Sequence, residues 1–161
     1  MSALGSPRSR IACRHLDILV VESDPAELYL TEMAFREAGF RGDLHCVKDG
    51  EDALMYVRRN GKYTEVPLPD IIFLNLALPK VDGLTVLKEI KQTPALLHIP
   101  IVVSSLTENL ADIRAVYALN GNCFIRKPLE LAEFLKFIET CYQFWSSVVT
   151  LSPKPAGPDF H

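Results

Sequence analysis

The sequence predicts a doubly wound α/β sandwich built on a five-stranded parallel sheet. Three observations point there. Short apolar runs alternate with longer amphipathic ones five times along the 161 residues. The central run, Ile71-Ile72-Phe73-Leu74, is apolar without alternation, as in a parallel strand covered on both faces. Helix starts and stops fall between the runs, at Asp24-Pro25, Gly39, Gly61, Asp82-Gly83 and Pro94.

Leu16 to Val21 reads as the first strand. Asp24 as N-cap and Pro25 at the first helical position then open a helix. Leu28, Leu30, Met33, Ala34 and Phe35 supply its inner face, and Gly39 stops it. Leu44 to Val47 is the second strand, and Asp49 to Asn60 the second helix, closed by Gly61. The third strand leads to a helix after Asp82-Gly83, in which Leu84, Leu87 and Ile90 recur every three residues. Pro100 begins the fourth strand, Leu110 to Leu119 is a helix, Cys123-Phe124-Ile125 a strand, and Leu131 to about Trp145 the last helix. Residues 1–15 and 151–161 read as flexible tails around one domain at 16–150, in keeping with about 150 residues per domain.

Composition narrows the function classes. Seventeen Lys and Arg against twenty Asp and Glu leave −3, which gives no electrostatic case for nucleic acid. No apolar run approaches the roughly 18 residues that span a membrane, and Met1 to His15 lacks the apolar stretch of a secretory signal. Cys13, Cys46, Cys123 and Cys141 form no C-x-x-C pair, and the four His do not fall at zinc-ligand spacing. The expectation is packed thiols in a reducing cytoplasm.

Right-handed crossovers put the functional site of such a sheet at the carboxyl ends of its strands, at the topological switch point. That places Glu22 to Asp24, Asn75 to Leu78, Ser104 to Thr107 and Arg126 to Pro128 together. These segments resemble the receiver domains of two-component response regulators, a flavodoxin-like (βα)5 fold. The matching stretches are Ile18 to Pro25, Pro69 to Leu76, Leu78-Pro79-Lys80-Val81-Asp82-Gly83, Ile99 to Ser105 and Phe124-Ile125-Arg126-Lys127-Pro128. Gly61-Lys62-Tyr63, Leu96 to Pro100, Asn122-Cys123, Phe144-Trp145 and Val148-Val149 are similar to the single-domain regulators that partner phytochrome histidine kinases.

The resemblance implies a site. In a working receiver an Asp at the end of the third strand takes a phosphoryl group from a kinase histidine, with Mg²⁺ held by acids after the first strand. Lys127 matches the phosphoryl-contacting Lys, Ser105 the hydroxyl residue, Phe124 the aromatic switch position and Glu22 the first acid. The Lys127-Pro128 bond is usually cis in the family. Two positions depart. Asn75 stands at the phosphoacceptor position, and a carboxamide is a poor nucleophile without charge. Ser23 stands where the second metal-binding acid belongs, so a hard cation that wants carboxylates should bind weakly or not at all. Leu106, after Ser105, is placed to cover the site. Asp24 is the alternative acid, although its Asp-Pro setting suits a cap. An FMN carrier on the same fold would need a Ser/Thr/Gly loop where Glu22-Ser23-Asp24-Pro25 stands.

The last helix carries excess apolar surface. At about 100° per residue, Phe134, Leu135, Ile138, Tyr142 and Trp145 fall within about 60° of Leu131 and form a core stripe. Phe137, Cys141, Phe144 and Val148 fall beside it, on an arc predicted to form a homodimer interface unless Ser146 to Pro153 folds back over it. The expected function is therefore a non-enzymatic cytoplasmic response regulator. It acts by protein contact with a phytochrome-type sensor kinase and uses no cofactor beyond a weak or vestigial Mg²⁺ site at Glu22.

Overall fold

A computed structural model of the chain describes residues 14–154. The strands are β1 (Leu16–Val21), β2 (Gly42–Val47), β3 (Ile71–Asn75), β4 (Ile101–Ser105) and β5 (Cys123–Arg126). They lie in the order β2-β1-β3-β4-β5, all parallel. The helices are α1 (Pro25–Glu37), α2 (Gly50–Val57), α3 (Gly83–Lys91), α4 (Leu110–Ala118) and α5 (Leu131–Gln143). The order reverses between β1 and β3, so their carboxyl ends splay into a crevice. This is the predicted architecture.

Four of the five helices start on a side-chain cap. Asp24, Asp49, Asp82 and Asn109 accept from the first-turn amides of Ala26, Asp52, Thr85 and Ala111, satisfying donors that have no partner within the helix. Helix α2 ends at Val57, three residues before the expected Asn60. Arg59 turns the chain off at φ +54°, and Gly61 instead starts a short 3₁₀ turn to Tyr63. Strand β2 begins at Gly42, because its pairing with β1 extends down to Leu16.

The core has two halves. Leu19, Val21, Ile72, Leu74, Ile101 and Val103 pack under α2, α3 and α4. Ile18, Val20, Ile71, Phe73 and Val102 pack under α1 and α5. Residues of β3 and β4 are buried on both faces until the last position of each strand, as predicted for the middle of a parallel sheet. Several family-like residues prove structural. Lys91 Nζ donates to Leu97 O, Ile99 O and Asn122 Oδ1, and Asn122 Oδ1 also accepts from Ile101 N at 2.9 Å, which ties the α3–β4 loop to the base of β5. Tyr63 packs on Tyr56, ring centroids 5.2 Å apart.

The last helix departs from its projection. Leu131, set at the middle of the core stripe, is half exposed, while Phe137 and Cys141 are partly buried against the α1/α5 cluster. The buried arc is therefore centred about 40° from Leu131 at 100° per residue, because α5 leans on α1 as well as on the sheet. After Gln143 the chain widens into a π turn, Phe144–Val148, in which Phe144 is 46% and Val148 71% exposed. Residues 151–154, expected to begin a tail, are anchored. Leu151 packs on the α1/α5 cluster, and Lys154 Nζ pairs with Asp17 Oδ2 at 2.8 Å. Arg14 Nη2 donates to Val149 O at 2.8 Å. The chain after α5, weighed as a cover for this surface, thus reaches the base of the sheet and leaves Phe144 and Val148 uncovered. Residues 1–13 and 155–161, with Cys13 and His161, lie outside the described residues.

Candidate functional site

Strand alternation aims the site. Ile18, Val20, Ile71, Phe73 and Ile125 face α1 and α5, so the next residues of the same parity, Glu22, Asn75 and Lys127, face that side too. They meet above Thr31, Phe73 and Ser104. Ser105 has the opposite parity. It stands over the α3–α4 side beside Leu76, Ala77 and Asp82, and its Oγ accepts from Thr107 N at 3.2 Å. The structure thus brings Glu22, Asn75 and Lys127 into contact and leaves Ser105 at the rim.

Lys127 is 7% exposed and Glu22 4%. The Lys127 Nζ donates to Glu22 Oε2 at 2.5 Å and to Glu27 Oε2 at 2.6 Å. The Asn75 Nδ2 donates to both Glu22 oxygens at 3.1 Å. Asp24 N donates to Glu22 Oε1 at 3.0 Å. The Glu22 carboxylate therefore accepts four hydrogen bonds, one for each of its roughly four lone-pair sites. Removing Lys127 would leave the buried Glu22 carboxylate without its cation and facing Glu27, at a cost of about 3–5 kcal/mol.

Glu27 is the residue that the sequence reading missed. Its Asp24-x-x-Glu27 spacing looks like an N-terminal capping box. A second signal was present: Glu27, Thr31 and Phe35 recur every four residues, and Thr31 and Phe35 are buried, so Glu27 lies on the inner stripe of α1. Burial pushes its carboxyl above the ordinary glutamate value, Lys127 pulls it down, and Glu22 adds to the rise; the net shift is upward.

The Mg²⁺ implied by the family likeness can be tested against these donors. They do not fit it. The one carboxylate at the strand ends is saturated by an ammonium and two N–H groups, Asn75 turns its donor side to that carboxylate, and its Oδ1 accepts from Ala77 N at 3.4 Å. Ser23 adds no charge. No step is therefore derived through a metal. Asp24 is exposed and accepts from Ala26 N at 2.8 Å, the cap role. Leu106 does not close the site: it is 50% exposed and lines neither hollow beside Asn75. Phe124 packs under the α4 side, with its backbone N donating to Tyr117 Oη at 3.2 Å. The Lys127–Pro128 bond is trans, where the likeness leads one to expect cis. Gly83 backs the site, since a Cβ there would stand 2.6 Å from Asn75 O.

A parallel β2-β1-β3-β4-β5 sheet with an acid, a carboxamide and a lysine at the ends of β1, β3 and β5 defines a receiver domain. The model of the response regulator receiver domain matches residues 18–139, and the chain belongs to that family of signalling proteins. It is a response regulator similar to the phytochrome-associated ones. Response regulator Rcp1 of Synechocystis sp. is 37% identical over 134 residues, 83% of this chain and 91% of Rcp1. The crystal structure of the phosphorylated cyanobacterial phytochrome response regulator RcpA superposes with a TM-score of 0.83 at 37% identity, covering 87% of this chain and all of that one. The Mn²⁺-bound form of Rcp1 superposes at 0.81 with 36% identity, covering 86% of this chain and 99% of that one.

Two outcomes test the site. A carboxyl whose folded pKa is raised contributes most below the ordinary glutamate range, and that contribution is lost as pH rises through the raised value. In urea unfolding, the stability difference between Glu27→Gln and wild type should therefore move in favour of the variant as pH rises above the ordinary glutamate range. Asn75→Asp alone should not respond to Mg²⁺, because Ser23 still leaves the site short of an acid. Asn75→Asp/Ser23→Asp should be less stable than wild type in EDTA, through like-charge repulsion, and should recover with Mg²⁺. A single variant that responds as strongly as the double one would contradict this account of the metal site.

Proposed function

We propose that this chain is a pseudo-receiver: it docks a sensor histidine kinase, or another regulator, by protein contact and forms no aspartyl phosphate at position 75. One observation carries the reading. The Lys127 ammonium is already neutralised between Glu22 and Glu27, and Asn75 stands as a hydrogen-bond donor in the place of a nucleophile. The phosphoryl-binding charge is thus spent on an internal network. The alternative acid, Asp24, loses support because its carboxylate holds the start of α1.

A phytochrome-type kinase is the proposed partner, on the likeness to RcpA and Rcp1. The proposed role is a cytoplasmic, non-enzymatic one; no helix among the described residues is long and apolar enough to cross a membrane. Contact surfaces are at hand. Leu110 and Tyr117 on α4 and Phe144 and Val148 after α5 are exposed apolar side chains, and they support a homodimer on the last two helices and β5. Phe137 and Cys141 contribute less than expected to that surface, since both pack inward in part.

Incubation of the wild type with a small-molecule phosphodonor and Mg²⁺ should leave its intact mass unchanged. A gain of one phosphate mapped to Asn75 or its immediate neighbours would contradict the pseudo-receiver. Light scattering should find a dimer at concentrations on the order of 10 μM, and Phe144→Asp/Val148→Asp should make it monomeric. A dimer that survives the double substitution would remove this surface from the interface.

A further inference from the structure

The opposite end of the sheet holds a second cluster. His15 lies just before β1 and Asp17 is its second residue, while Asp43 is the second residue of β2 and His45 its fourth. The parallel register sets Asp17 beside Asp43 and Leu19 beside His45. His-x-Asp on one strand and Asp-x-His on its neighbour therefore share one parity, and all four residues face the α2 side. His15 Nε2 lies 3.2 Å from Asp43 Oδ2, and His45 Nε2 lies 3.3 Å from Asp17 Oδ1. The ligand atoms of His15, Asp17 and Asp43 all fall within 4.8 Å of one another. The cluster is roughly 16 Å from Glu22, five residues along β1, so it is separate from the site above.

We propose that His15, Asp17 and Asp43 form a binding site for a borderline divalent cation, with Zn²⁺ the best match and His45 holding Asp17 from outside it. One imidazole and two carboxylates, with water in the fourth position, make a tetrahedral nitrogen–oxygen donor set of the kind Zn²⁺ accepts. The spacing agrees. Metal–ligand bonds of about 2.0–2.1 Å put neighbouring tetrahedral ligands about 3.3 Å apart, close to the 3.2 Å between His15 Nε2 and Asp43 Oδ2. Mg²⁺ is the poorer match, because it prefers oxygen donors and retains its water. The site has a built-in support and a built-in competitor. The His45 ring lies against Tyr56, centroids 5.7 Å apart, and the backbone N of Asp17 donates to Asp70 Oδ2 at 2.8 Å. Lys154 Nζ sits on Asp17 Oδ2 and leaves Oδ1 toward His45. A bound cation would clamp the edge strand β2 to β1 and repel Lys154, so metal and the C-terminal segment compete for Asp17.

The test uses the full chain, stripped of metal, with Co²⁺ as a visible probe and Zn²⁺ as its displacer. One Co²⁺ per chain should bind, with the visible bands of tetrahedral nitrogen–oxygen ligation, and Zn²⁺ should abolish them. His15→Ala and Asp43→Ala alter exposed residues and should each weaken binding by roughly tenfold or more, with unchanged circular dichroism. Lys154→Ala should tighten it. Absence of saturable binding would overturn the proposal, as would wild-type affinity in either ligand variant. A near-ultraviolet thiolate charge-transfer band would place the metal on a cysteine and overturn it equally.

Discussion

The Lys127 ammonium, held between two carboxylates in a nearly dry crevice, is the constraint on which the rest of the site depends. A buried ammonium is tolerated only when it is paired. Glu22 and Glu27 pair it, and Asn75 completes the shell of Glu22. An Asp at position 75 would set a third carboxylate against Glu22 and would need a divalent cation to neutralise it. Asn75 removes that need. The carboxamide, the absent second acid at Ser23 and the inward lysine are thus mutually consistent: each makes the others tolerable without metal.

The same network links fold to function. Glu22 hangs from the end of β1, Lys127 follows β5, and Glu27 belongs to the first turn of α1. The ion pairs therefore draw the ends of β1 and β5 and the start of α1 together around β3. In a receiver that takes phosphate, the corresponding lysine is released to a phosphoryl oxygen. Here it ties the strand ends together, and that favours one standing surface over a switched one. Phe124, matched by the resemblance to the switch aromatic, is partly buried beneath α4.

Much of this was legible in the residues. The doubly wound, five-stranded parallel sheet followed from five strand–helix repeats. The direction of Glu22, Asn75 and Lys127 followed from strand parity, and the cap role of Asp24 from its Asp-Pro setting. What escaped depended on distance in space. Glu27 looked like a capping residue because its partner, Lys127, lies a hundred positions away. Leu131 looked central to the last helix because a single-helix projection ignores α1, whose packing rotates the buried arc. The grouping of His15, Asp17 and Asp43 was not visible in residue spacing because strand register brings them together. The anchoring of Leu151 and Lys154 was hidden by a proline-rich composition that reads as a tail.

The most direct measurement is of the Lys127 ammonium itself, by nitrogen-15 NMR of lysine side chains at neutral pH, with the signal assigned through Lys127→Arg. The account predicts a slowly exchanging ammonium resonance that Mg²⁺ and inorganic phosphate leave unmoved. An ammonium that exchanges as fast as those of exposed lysines, or that shifts saturably with Mg²⁺, would show the lysine free to serve a phosphoryl group and would contradict the account.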